Sequence, residues 1–266
     1  GVVDAGGKGF VDFIEGVLHF TSAGRLRDLP KSPVETKLPK LKNHVHSFKS
    51  EVKERYCTEA LIQGKALDLE KIRGLVQSAG ESAIVAGSET KVRFHVHTDS
   101  PADLFFRLNE IGVVVQLKVD DMRKQYEVSH SRKGKVALVT DSSCDLPQDF
   151  LDEHQVQVIP FNLSFGETLF LDKLTITPDQ FYTLLKTRKE HPKSAVASVA
   201  TVQNLYSYLS TFYDSILVFS ISSKLSGAYA LASQAATEVA GKKITVIDSK
   251  TLSMNLGLVV RRAAEA

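Results

Sequence analysis

Three short apolar runs in the second half of the chain end in the same way. Val136 to Val139 gives onto Thr140, Asp141, Ser142 and Ser143. Ile216 to Phe219 gives onto Ser220, Ser222, Ser223 and the Ser226-Gly227 pair, and Ile244 to Ile247 onto Asp248 and Ser249. An unbroken apolar run of this length, stopped by turn-forming residues, is the pattern of a strand buried on both faces. Helical periods separate the runs: one after Ser198 carrying Leu205, Leu209 and Phe212, one from Ser226 to Glu238, and a last one reaching Ala266. Strand alternating with helix predicts a parallel sheet with helices on both faces. In such sheets ligands bind outside the carboxyl ends of the strands. Between the first two runs, Pro147 opens a short helix, and Val156 to Leu163 with Thr168 to Leu171 predicts a hairpin about Gly166. Thr177, Pro178 and Gln180 form a capping box at the start of a helix carrying Phe181, Leu184 and Leu185.

Upstream the periods are mixed. Arg55 to Gln63 reads as a strand, Leu69 to Ser78 as a helix and Ser82 to Gly87 as a strand. Lys91 to His97 alternates strictly, with Val92, Phe94 and Val96 on one face and Arg93, His95 and His97 on the other. Ser100 and Pro101 start a helix that Gly112 ends, and Val113 to Val119 is the closing strand. The order β-α-β-β-α-β is that of a split βαβ, ferredoxin-like sandwich. Residues 25–53, with Pro30, Pro33 and Pro39 among lysines, read as a solvated extended linker. Residues 1–24 hold a glycine-rich opening and one amphipathic helix with Phe10, Phe13, Ile14, Val17 and Leu18 on a stripe. The predicted division is therefore 1–24, a terminal helix; 25–53, a linker; 54–132, an α+β domain; and 133–266, a parallel-sheet α/β lobe. A start at Gly1 rather than Met reads as a piece of a longer polypeptide.

Composition narrows the classes. Hydrophobic residues make up 43% and charged residues 24% of the 266, as in ordinary globular proteins. A formal charge of +2 gives no reason to expect nucleic acid or a membrane surface as partner. Cys57 and Cys144 are distant and form no CxxC, so a reducing cytosol is the simplest setting. No apolar run approaches the ~20 residues of a membrane span.

The repeated hydroxyls are the first candidate chemistry. Free N–H groups and the dipole at a helix start favour an anion, and glycine lets a ligand approach the backbone. Asp141, Ser142, Ser143, Ser198, Ser226 and Gly227 are the candidate ligand-binding residues. A single such serine is most simply a helix cap; repetition at three strand ends points to a shared crevice. VTDSSCDLP (139–147), VIPFNLSF (158–165), ISSKLSGAYALA (221–232) and VIDSKTLSMNLGLVV (246–260) resemble the DegV family of fatty-acid-binding proteins. The resemblance implies an acyl chain in an apolar tunnel, its carboxylate held at Ser198, Ser226 and the Gly227 backbone. It also implies a second lobe that closes the tunnel. Ala197 and Ala228 stand where the family usually has threonine. Each buried methylene contributes ~0.8 kcal/mol and a hydrogen bond to a charged head ~1.5–3 kcal/mol, so the tail supplies affinity and the serines orientation.

The second candidate is a metal site. His95 and His97 lie two apart on a strand, and Cys57 and Glu59 share their parity on a strand expected beside it. One thiolate and two imidazoles suit tetrahedral Zn²⁺ with a fourth position open. His44 and His46 repeat the spacing inside the linker, where no site is expected. YCTEALIQG (56–64) and VRFHVHTDSPADLF (92–105) resemble the middle domain of bacterial fatty acid kinase. GVVDAGGKGFVDFIEGVL (1–18) resembles the closing helix of its dihydroxyacetone-kinase-like nucleotide-binding domain. These resemblances imply a fused kinase and binding protein, zinc at Cys57, His95 and His97, and ATP with Mg²⁺ only in a further kinase domain. No P-loop, GxGxxG after a strand or clustered aspartates occur here, and Asp4 reads as part of a turn. A Ser-His-Asp hydrolase lacks its G-x-S-x-G elbow. The expected function is an acyl-binding module presenting a carboxylate for phosphorylation, non-catalytic by itself. The rival is a dihydroxyacetone-type polyol kinase binding another anion. Expected partners are a long-chain fatty acid, the remaining kinase domain, the second lobe and a homodimeric copy.

Overall fold

The computed structural model describes residues 5–23, 53–239, 241 and 243–266. Residues 1–4, with Asp4, and 24–52, which hold all but the last residue of the linker expected at 25–53, with His44 and His46, lie outside the described residues. The chain divides into two compact units, residues 1–49 and 50–266. In the first, α1 (Ala5–Ala23) is the expected helix, and Phe13, Val17 and Leu18 are exposed on it.

The second unit begins with β1 (Tyr56–Gln63), α2 (Leu69–Ala79), β2 (Glu81–Gly87), β3 (Lys91–Thr98), α3 (Pro101–Leu108) and β4 (Val113–Asp121). The four strands form one sheet in the order β2-β3-β1-β4, antiparallel throughout. Strict alternation along β3 buries Val92, Phe94 and Val96 against Ile72, Val76 and Phe105, leaving the other face open. Asp68 caps α2 by accepting the Lys71 amide hydrogen, which supplies one of the donors a helix start leaves without a partner.

A helix the apolar pattern did not foretell follows: α4 (Met122–His130), capped by Asp121 through the Lys124 amide. Val128 and the Lys124 side chain are its buried residues, too few to show a stripe in sequence. Then come β5 (Val136–Asp141), α5 (Gln148–Glu153), β6 (Gln157–Ile159), β7 (Asn162–Phe165), β8 (Thr168–Leu171), α6 (Pro178–Thr187), β9 (Lys193–Ala195) and α7 (Val199–Phe212). The last elements are β10 (Ser215–Ser220), α8 (Ala228–Glu238), β11 (Lys243–Asp248) and α9 (Ser253–Ala264). A parallel sheet runs β11-β10-β5-β6. Ala137, Val139, Ile216 and Val218 face α7 and α8, while Leu138, Leu217 and Phe219 face α5 and α9. Helices thus cover both faces.

The hairpin expected from Val156 to Leu163 is corrected in one respect. Pro160 divides that stretch, because proline has no N–H to continue a ladder. Gln157–Ile159 stays in the parallel sheet beside β5. Asn162–Phe165 turns away to pair with β8 and β9 in a separate antiparallel sheet. Gly166 makes the hairpin turn at φ +59°, a conformation that costs glycine little. Phe165, Phe170 and Ile176 then join the core of the β1–β4 sheet, so one apolar cluster spans both halves of this unit. No helix among the described residues is long and apolar enough to cross a membrane.

Candidate functional site

The carboxyl ends of β5, β10 and β11 carry Asp141, Ser220 and Asp248 side by side: Phe219 pairs with Thr140, and Ser220 with Asp248. Asp141 is 5% exposed. Its Oδ1 accepts from the Ser143 amide at 3.1 Å and the Ser143 hydroxyl at 2.5 Å. Its Oδ2 accepts from the Ile221 amide at 2.8 Å and the Ser220 hydroxyl at 3.3 Å. All four contacts are donors, so both carboxylate oxygens are engaged by the protein itself. Ser142 is buried, and its Oγ accepts from the Phe161 amide at 3.0 Å. Burial pushes the neighbouring Asp172 carboxyl up, opposed by a hydrogen bond from Ser142.

Ser198 and Ser226 stand at two helix starts. Ser198 caps α7, accepting from the Thr201 amide at 3.1 Å and sharing a hydrogen bond with the Thr201 hydroxyl at 2.8 Å. The Ser226 hydroxyl accepts from the Ala228 amide at 3.2 Å, at the start of α8. A Cβ at Gly227 would meet no atom within 4 Å, so the ground above its backbone is open. The two helix starts flank one cavity of about 20 Å³, walled by Val196, Ala197 and Val202 on one side and Ala228, Leu231 and Ala232 on the other. Thr140, Asp141 and Ser220 line it as well. That volume holds about one water-sized group. Leu225, Leu252 and Met254, 60%, 48% and 46% exposed, lie in the loops and first turn that follow β10 and β11. The hydroxyl-bearing edge is therefore also an apolar surface.

Among the expected site residues, the structure thus brings Asp141 and Ser143 into direct contact, with Ser220 added to them, and sets Ser198 and Ser226 at neighbouring helix starts. Ser142 is directed into the turn before β7. Thr201 was missed; its place three residues after Ser198, a capping interval, was the available signal.

On the open face of the antiparallel sheet, Cys57 pairs with His97 and Glu59 with His95 across β1 and β3. Ligand atoms of Cys57, His95 and His97 all lie within 4.8 Å of one another. Cys57 Sγ is 3.9 Å from His95 Nδ1, and Glu59 Oε1 lies 3.5 Å from that nitrogen. Ligands of a tetrahedral zinc sit roughly 3.5 Å apart, from bond lengths near 2.3 Å to sulfur and 2.0 Å to nitrogen. The trio needs only a small contraction to fit such an ion. Burial pushes the Cys57 thiol up, with Asp120 and Glu59 adding to it and Lys118 opposing.

The two halves also match known families separately. Residues 135–266 match the family model described as uncharacterised protein, DegV family. Residues 53–129 match the model for the middle domain of fatty-acid-kinase-like proteins. A DegV domain-containing protein of Clostridium perfringens is 32% identical over 131 residues, 49% of this chain and 47% of that protein. Among solved structures, a fatty acid binding DegV protein from Bacillus subtilis is 27% identical with a TM-score of 0.48, covering 49% of this chain and 46% of its own. A DegV family protein from Thermus thermophilus, whose structure is titled for fatty acid binding, is 32% identical with a TM-score of 0.47, covering 50% and 47%. The chain spans about half the length of these relatives.

Proposed function

We propose that residues 135–266 form the head-group half of an acyl-chain site, within a protein that binds a fatty acid and presents its carboxylate for phosphorylation. The observation that carries this reading is a pair of helix starts, α7 capped by Ser198 and α8 begun by Gly227 with Ser226 before it, next to one apolar cavity that Ala197 and Ala228 line. Neutral hydroxyls and free helix N–H groups suit a carboxylate that is held rather than consumed. Exposed Leu225, Leu252 and Met254 on the same edge suit its tail. The family match of residues 135–266, and the fatty acid kinase match of residues 53–129 in the same chain, support the same substrate class.

The antiparallel half reads as a split βαβ, ferredoxin-like domain, supported by its sheet order. Cys57, His95 and His97 would hold a zinc ion there, with Glu59 Oε1 3.5 Å from His95 Nδ1. The group would hold register between β1 and β3 as a structural ion does.

A cavity of about 20 Å³ encloses no long chain by itself, so we expect weak retention by residues 1–266 alone. Native mass spectrometry with added palmitate tests the reading: weak one-to-one adducts are expected, reduced by Ser226→Ala. Absence of any adduct, or adducts of a triose phosphate in its place, would overturn it.

A further inference from the structure

Pro160 interrupts the passage from β6 to β7, and the residues around it are fastened one by one. The Ser142 amide donates to Ile159 O at 3.0 Å, and its buried hydroxyl accepts the Phe161 amide hydrogen at 3.0 Å. The Asp172 amide donates to Phe161 O at 2.9 Å, so both backbone groups of Phe161 are occupied before β7 starts. The next residue, Asn162, pairs with Ala195 of β9, and its Nδ2 reaches one residue further to donate to Val196 O at 3.1 Å. That bond extends the β7–β9 pairing toward Ser198, the cap of α7. Phe161 and Val196 line the same cavity.

A hydroxyl has one hydrogen and two lone pairs. At Ser198 Oγ one lone pair takes the Thr201 amide hydrogen at 3.1 Å, and Thr201 Oγ1 lies at 2.8 Å, close enough to fill the other. With Thr201 donating, the Ser198 hydrogen has to point away from Thr201. Ser198 is exposed, so a ligand can take that hydrogen.

We propose that Asn162 and Thr201 are positioning residues of the head-group site: Asn162 sets where Ser198 stands, and Thr201 turns the Ser198 hydrogen outward to the anion. The inference rests on the acyl-binding reading and deepens it by naming what aims the donor. Both residues act through Ser198 rather than on the ligand. Hydrogen bonds in a row polarise one another, so Ser198 backed by Thr201 is a stronger donor to a carboxylate than Ser198 alone. Ser142 belongs to the same support, because it anchors the segment that carries Asn162.

The test uses the whole chain, with octanoate and octanol as probes titrated by NMR at pH 8. The two share a tail and differ in the head. Asn162→Leu removes the amide donor at nearly constant shape, with Asn162→Ala as a second variant should leucine disturb β7, and Thr201→Val removes only the hydroxyl. Ser198→Ala is expected to lower octanoate affinity by about tenfold. Asn162→Leu and Thr201→Val are each expected to lower it by about threefold, and octanol affinity by less than about twofold. Adding Thr201→Val to Ser198→Ala should cause no further loss, because Thr201 acts through Ser198. Exchange of the Thr201 amide hydrogen, which reads the cap directly, should be faster in Asn162→Leu. Equal losses for the two probes, or no loss for either, overturn the proposal, and a further loss in the double variant overturns the role of Thr201. If the unsubstituted protein binds neither probe, the acyl-binding reading fails. Exchange then decides the positioning alone: faster exchange in Asn162→Leu supports it, and unchanged exchange refutes it.

Discussion

Arg55, ahead of β1, and Asp152, in α5, form an ion pair at 2.5 Å that joins the antiparallel half of the unit to the parallel-sheet half. A second oxygen of Asp152 accepts from Nη2 at 2.7 Å, and Asp121 accepts from Nη2 at 2.6 Å and Nε at 2.8 Å. The side chains retain only 13–19% exposure. Breaking a pair this enclosed leaves a carboxylate without its partner, and we expect Arg55→Met to cost about 3 kcal/mol in urea denaturation. A cost below about 1 kcal/mol would place the pair with ordinary surface ion pairs.

The same pair predicts an acid response. Burial alone would raise the Asp152 carboxyl, but hydrogen bonds from Arg55 and Gln148 hold it below the usual range. Its folded value is depressed, so its contribution is fully present above the unfolded value of ~3.9 and is lost as pH falls through the folded one. Asp152→Asn should lower stability at pH 7 and flatten its decline below pH ~4, as read by denaturation midpoints across that window.

Phe170 is fully buried in the cluster shared by the two halves. Phe170→Ala should cost about 3–5 kcal/mol. Because the cluster is continuous, the loss should shift one common transition followed by probes in both halves. A separate early melt of residues 135–266 would contradict this coupling.

Tyr206 points the other way. It is fully buried in α7, its hydroxyl has no hydrogen-bond partner among the described residues, and burial pushes its ionisation up. Removing an unpaired buried polar atom without changing shape should stabilise, so Tyr206→Phe is expected to gain about 1 kcal/mol. A loss of that size would reveal an ordered water on the hydroxyl.

The metal reading is checked by elemental analysis of protein purified without chelators. We expect one zinc per chain, falling in both Cys57→Ala and His95→Ala, with Glu59→Gln causing a smaller loss of affinity of about tenfold. Unchanged zinc content in His95→Ala removes the site.

The sequence by itself determined the elements whose pattern is dense and local. The runs ending at Val139, Phe219 and Ile247, the alternation of Val92, Phe94 and Val96, and the Thr177–Gln180 capping box all announced their structures. Period and cap chemistry are properties of neighbouring residues. The pairing of Cys57 with His97 was within reach for the same reason, since parity on two strands follows once their adjacency is assumed.

Only the tertiary structure decided where Val156 to Leu163 divides between two sheets, and that Phe165 and Phe170 pack into the core of the β1–β4 sheet. It alone brought Arg55 to Asp152, 97 positions on, and the Ile221 amide to Asp141, 80 positions back. These relationships join residues far apart in the chain through burial and hydrogen-bond geometry. Such choices have no period, and they exist only once the sheets have met.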